Sequence, residues 1–347
     1  MIFFLFVFLA MSLSSCGGEV YDNRQARFEG NWRLLSKESD IISDPVSPIT
    51  DLIFFNENEG LATNVLQVEH TVNGGKEWTV VREFHDLAVF SFILAEGQDV
   101  WGVGAEWRDG EARNPAVVRS MDRGKTWSQV EIDFGNQKKL FKESVAFVDI
   151  CFTSPDSAWL ASDIGLIETS VRESNIRIEK VFRTDEDLHG VSCSSTGRVV
   201  VGVGKGAVYR YDDRGLSRLH PPSDFSFSKV KQIDNHIWLL GWKMLHANSN
   251  SVDTGMSGIV LFSADGGTTW ENRTPKQIRS FNDIDLRNGK GWLTGSDGNL
   301  FYSDDNGKSW RDVPVPTKSN LYNIFFLNEE NIWIGGLDNT VLKYGID

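Results

Sequence analysis

The sequence predicts an all-β fold: a seven-bladed β-propeller of four-stranded antiparallel blades, its ring closed by an N-terminal strand. Three observations predict it. A strand signature recurs as WGVG from Trp101, WLAS from Trp159, VVVG from Val199, WLLG from Trp238, WLTG from Trp292 and WIGG from Trp333, with a weaker copy, LATN, from Leu61. Neighbouring copies lie 40, 58, 40, 39, 54 and 41 residues apart, close to the spacing of about 40–45 residues expected when each unit is one blade. A polar turn is also written four times, as HTVNGGKEW at 70–78, RSMDRGKTW at 119–127, FSADGGTTW at 262–270 and YSDDNGKSW at 302–310.

Composition agrees with a large globular core. The chain has 347 residues, 40% hydrophobic and 24% charged, with 12 Trp and 32 Gly. Length alone would allow two domains, but a repeat array of this size forms one body. The net charge is −13 with no basic cluster. That balance argues against a nucleic-acid partner, because gripping phosphates requires concentrated Lys and Arg.

The first element is a targeting segment. Residues 2–11, IFFLFVFLAM, are all apolar. This is shorter than the roughly 20 residues a membrane-spanning helix needs and suits a signal-peptide core. LSSC follows and resembles the lipobox of bacterial lipoproteins. The resemblance implies cleavage before Cys16 and acylation of that residue. The expected layout is a leader over 1–15, a polar lipidated tether over 16–29 and a propeller over 30–347. Gly17 after the Cys would favour the outer membrane under the sorting rule of well-studied bacteria.

Within each unit an apolar inner strand comes first, then the signature strand, a third strand and the polar turn that leads to a short fourth. In that turn an Asp or Ser side chain accepts backbone N–H groups. Its Gly supplies positive φ, and its Trp offers a large packing face with one N–H. The turn residues so assigned are Asn73, Gly75 and Trp78; Asp122, Gly124 and Trp127; Asp265, Gly267 and Trp270; and Asp305, Gly307 and Trp310. The third unit lacks the turn, and the fourth keeps a degraded copy, YDDRGLSR at 211–218. The last unit supplies three strands. GNWRLLS at 30–36 is the expected fourth, because closing the ring removes an exposed sheet edge. Cys151 and Cys193 each sit in an apolar strand; separate buried thiols are the favoured expectation, and a disulfide, which export would permit, is the alternative.

The turn is the Asp-box motif of sialidases and several other propellers. The longer stretch FNDIDLRNGKGWLTGSDGNLFYSDDNGKSW, 281–310, resembles the repeat of the photosystem II stability/assembly factor family. The resemblance covers nearly the whole mature chain and implies a seven-bladed propeller with a chaperone-like binding role. A sialidase-like hydrolase or glycan-binding propeller is the alternative. Sialidases carry an Arg-Ile-Pro-type motif before the first Asp-box, yet Arg24, Arg27 and Arg33 are not followed by x-Pro, and the Asp-box argues for fold rather than chemistry. The six His are scattered and no Cys pair has ligand spacing, so neither metal nor cofactor is expected. GVGKGAVY at 202–209 reads as strand–turn–strand rather than a phosphate loop.

A protein partner, an envelope or membrane protein, is therefore expected, with a glycan as the alternative ligand. Asp-boxes mark one face. The other carries the starts of the inner strands and the second-to-third-strand loops. Two loops there are long: EWRDGEARNP at 106–115, with Trp107, Arg108 and Arg113, and WKMLHANSNSVDTGMSG at 242–258, with Trp242, Met244 and His246. Aromatic, Met and Arg side chains are common interface anchors. Asp51, Asp149, Lys229, Asp283 and Asn323 fall at inner-strand starts and should ring the channel mouth. Their expected work is to hydrogen-bond backbone groups.

Overall fold

The computed structural model describes residues 32–35, 48–95, 99–108, 111–141, 145–172, 175–194, 200–222, 224–233, 236–245 and 255–345. The segments expected to be leader and tether, with Cys16, lie outside the described residues, as does His246.

Seven sheets form the molecule. Their inner strands are Asp51–Phe54, Leu87–Leu94, Phe147–Ser154, Leu188–Cys193, Ser226–Ile233, Phe281–Arg287 and Leu321–Asn328. Each inner strand touches the next, and the seventh touches the first, so the ring is closed. Trp32–Leu34 supplies the fourth strand of the seventh blade, antiparallel to Val341–Tyr344 with Trp32 opposite Tyr344. Trp32 is 9% exposed and packs edge-on against Trp292 at 5.1 Å between ring centroids.

The core is divided among the blade junctions. Each junction has its own buried apolar cluster, from Ile53, Leu61 and Val89 between the first two blades to Phe54, Trp78 and Trp333 between the seventh and first. Phe54 stacks on Trp333 at 3.7 Å. The signature strand owes its Gly to a close approach. A Cβ on Gly104 would sit 1.7 Å from the Ala88 carbonyl oxygen, and one on Gly336 would sit 2.3 Å from that of Asn320. The inner strand bulges at this height in six blades, pressing its backbone onto the signature strand.

Three expectations need correction. The 106–115 and 242–258 segments are not simply loops. Val100–Arg108 pairs with Glu111–Ser120, and His236–Met244 pairs with Met256–Ser263, so both insertions lengthen hairpins. The 58-residue spacing has a further source. Glu131–Asp133 adds a fifth strand, parallel to Asn175–Arg183, to the third blade, and a 3-10 helix follows at Gly135–Phe141. Finally, Cys151 and Cys193 are joined in a disulfide. They lie on neighbouring inner strands, 42 residues apart in sequence, which brings equivalent regions of successive blades together.

Candidate functional site: the channel mouth and its rim

The four Asp-box turns share one geometry. The Thr71, Ser120, Ser263 or Ser303 hydroxyl accepts the N–H of the turn Gly at 2.7–3.0 Å and donates to Asn73, Asp122, Asp265 or Asp305 at 2.8–3.1 Å. That residue's Oδ1 accepts the N–H four residues on. Hydrogen bonds from Thr269 to Asp265, and from Ser309 to Asp305, hold each carboxyl down at about 2. Trp78 and Trp127 donate Nε1–H to the turn Gly carbonyl at 2.9 and 2.8 Å. The turns also grip the preceding blade: Gly124 lies against Leu61 and Gly307 against Trp238. These turns are architectural, and they define one face.

On the opposite face, Asp51 at the start of the first inner strand and the first residue after the bulge in each of the other six fall on a common ring. Its members are Asp51, Ser91, Asp149, Gly190, Lys229, Asp283 and Asn323. The five predicted residues are therefore brought together. Each Asp accepts the N–H of its own successor at 2.9 Å. Its second oxygen reaches across the junction to an N–H of the following blade: Asp51 to Phe92 at 2.9 Å, Asp149 to Val191 at 3.0 Å and Asp283 to Ile324 at 3.1 Å. Ser91 bonds Asp149 at 2.9 Å, Ser192 accepts from Gln232 N–H at 2.9 Å, and Lys229 lies 3.5 Å from Asp283. Asn323 closes the last junction, donating to the Ile49 carbonyl at 3.2 Å and accepting Gly335 N–H at 3.2 Å. A polar contact thus crosses every blade junction.

Charge is concentrated here. Burial pushes the Asp51 carboxyl up to about 7, against the pull of Lys229 and the Phe92 N–H. Burial raises Asp149 as well. The Asp283 carboxylate, helped by Asp149 and Asp51, holds the Lys229 ammonium above its ordinary value. Sequence reading missed Ser91, Gly190 and Ser192. The first two were legible by counting back nine or ten residues from each signature strand.

The rim aromatics are half-buried, whereas the rim Arg and Met side chains are exposed. Trp107 is half-buried against Ala105, Ala112 and Ala146. Arg108 lies 3.9 Å from Glu106, and Arg113 lies 3.2 Å from Glu111. Trp242 is half-buried on its strand, whereas Met244 is 55% exposed and Leu245 is 39% exposed beside it. Among the described residues, no three or more His, Cys, Asp or Glu side chains gather to hold a metal ion, and no helix is long and apolar enough to cross a membrane.

Comparison with known proteins adds the following. The family model described as Photosynthesis system II assembly factor YCF48 matches residues 35–345. The photosystem II assembly lipoprotein Ycf48 of Synechocystis sp. is 26% identical over 166 residues, 44% of this chain and 43% of that protein. Its namesake in Trichormus variabilis is 24% identical over 199 residues, 54% of this chain and 55% of that protein. The chain thus aligns with about half the length of these relatives. A solved structure described as YCF48 bound to D1 peptide superposes with a TM-score of 0.61 at 19% identity, covering 91% of this chain and 97% of the other. YCF48 from Cyanidioschyzon merolae gives 0.63 at 19% identity, covering 90% and 98%. At that identity the structural likeness bears on fold.

Proposed function

The chain belongs to the Photosynthesis system II assembly factor YCF48 family, and from that premise we propose that it is an assembly scaffold holding a segment of a membrane protein outside the cytoplasm. The family match over 35–345 carries the reading. The relative described as bound to D1 peptide supports a peptide segment of a membrane protein as client. The relatives named lipoproteins support a leader over 1–15, acylation at Cys16 and a tether over 16–29. One acyl chain alone binds a membrane marginally, so stable attachment would rest on several chains at that residue.

The client face in this reading carries the inner-strand starts and the two long hairpins. Loops and hairpins on a rigid ring are where propellers put recognition. Position-specific photo-crosslinking tests it. A crosslinker at Met244 or Arg113 is expected to capture a membrane protein from native envelopes, and one at Val72 or Met121, on the Asp-box face, is not. Capture from the Asp-box face alone, or of soluble proteins alone, would sink the assignment. Mass spectrometry of the N-terminal peptide, with Cys16→Ser as control, tests the anchor.

A further inference from the structure

We propose that a cleft on the outer rim, between the second and third blades, docks an extended client segment that carries an apolar side chain flanked by acidic residues. The proposal rests on the scaffold reading above and deepens it by naming the chemistry recognised. The cleft is built where the repeat is broken. After Ser128–Gln129 the chain runs outside the ring as Glu131–Asp133, joins the edge of the third blade and turns through the Gly135–Phe141 helix. Between this excursion and the Asn114–Pro115 stretch lies a cleft of about 990 Å³.

Its floor is apolar. Val130, Ile132, Phe134 and Phe141 line it, with Phe134 and Phe141 at 4.8 Å between ring centroids. Ile132 and Phe134 are half-buried, so part of their surface still faces the opening. One aromatic or branched aliphatic side chain of a partner would complete that packing.

Its charge is unlike that of the rest of the protein. Lys138 and Lys139 stand exposed on the lip. Among the described residues no carboxylate pairs with either, in a chain of net charge −13. Across the cleft Glu106 is engaged by Asn114 at 2.8 Å and by Arg108 at 3.9 Å. Glu131 also lines the cleft and is exposed, so the two lysines outnumber the one carboxylate not already engaged, and the net charge offered to a partner is positive. Two lysines cannot hold a nucleic acid against a strongly acidic surface, but they match one or two carboxylates beside an apolar anchor.

Selection of a displayed library of random twelve-residue peptides on the full chain tests this. Enriched peptides are expected to pair an aromatic or aliphatic residue with neighbouring Asp or Glu. The exposed double variant Lys138→Glu/Lys139→Glu should weaken them about tenfold or more and, reselected, should enrich Lys and Arg instead. Acidic peptides that bind the double variant equally well would keep a peptide-binding scaffold and remove this cleft. A neutral or basic consensus would overturn the proposal, as would no enrichment. If sedimentation shows the double variant splitting a dimer, the occupant is a second copy of this chain and the proposal falls.

Discussion

At Asp51, burial in the channel raises the carboxyl to about 7, whereas hydrogen bonds in a surface turn lower Asp265 to about 2. An unfolded Asp titrates near 3.9 by contrast. The two groups therefore pull stability in opposite directions. Asp51 binds its proton more tightly when folded, so its contribution is full below about pH 4 and is lost as pH rises toward 7. The span is at most about 4 kcal/mol, since one pKa unit is worth roughly 1.4 kcal/mol. Asp265 and Asp305 act conversely, with stability present above about pH 4 and lost toward pH 2. Urea midpoints of Asp51→Asn should therefore change less than wild type between pH 4 and 8. Asn323 already shows that an amide can serve at a ring position. Equal slopes for the two proteins would contradict the burial assigned to Asp51.

Neighbouring blades are held together by different devices on the two faces of the ring. On the Asp-box face the turn Gly presses on the blade before it: a Cβ on Gly124 would lie 2.4 Å from Leu61, at a φ of +82°. Gly124→Ala should lower stability by about 1–3 kcal/mol, read as a loss in thermal midpoint. An unchanged midpoint would mean that this junction yields freely. On the channel face the third and fourth blades carry both the Asp149–Val191 bond and the Cys151–Cys193 disulfide. Closing a 42-residue loop restricts the unfolded chain by up to about 4 kcal/mol. Reductant should shift the urea midpoint down accordingly, and no shift would place the cross-link outside the cooperative unit.

These elements were unequally legible. The turns could be read because Ser, Asp, Gly and Trp do local chemistry within nine residues. The Asp ring was half legible. Charged residues stood out, but Gly190 and Ser91 share the position through backbone register, which composition does not display. The disulfide was the second choice because each Cys looked like an ordinary buried strand residue. Their spacing of 42 residues, one repeat, was the overlooked signal. The rim excursion was illegible: a three-residue parallel pairing made 44 residues away, Glu131 with Asn175, leaves no periodic trace.

At the scale of the whole ring, closure depends on three residues. Trp32–Leu34 covers the edge of the last sheet, and Trp32 fills the space beside Trp292 and Tyr344. Trp32→Ala should cost about 3–5 kcal/mol. Hydrogen exchange should also rise first in Val341–Tyr344, since a loosened closing strand frees that edge. If protection is lost evenly around the ring, the seven blades unfold as one unit without a weak seam.

The pairing of Trp32–Leu34 with Val341–Tyr344 also orders events in time. A chain made N-terminus first delivers its clasp long before the surface that receives it. For most of its synthesis the seventh sheet does not exist, and the early strand has nothing to bind. A chain truncated before Val341 would keep that strand unmatched and sticky, a sign by which quality-control proteases could tell unfinished molecules from complete ones.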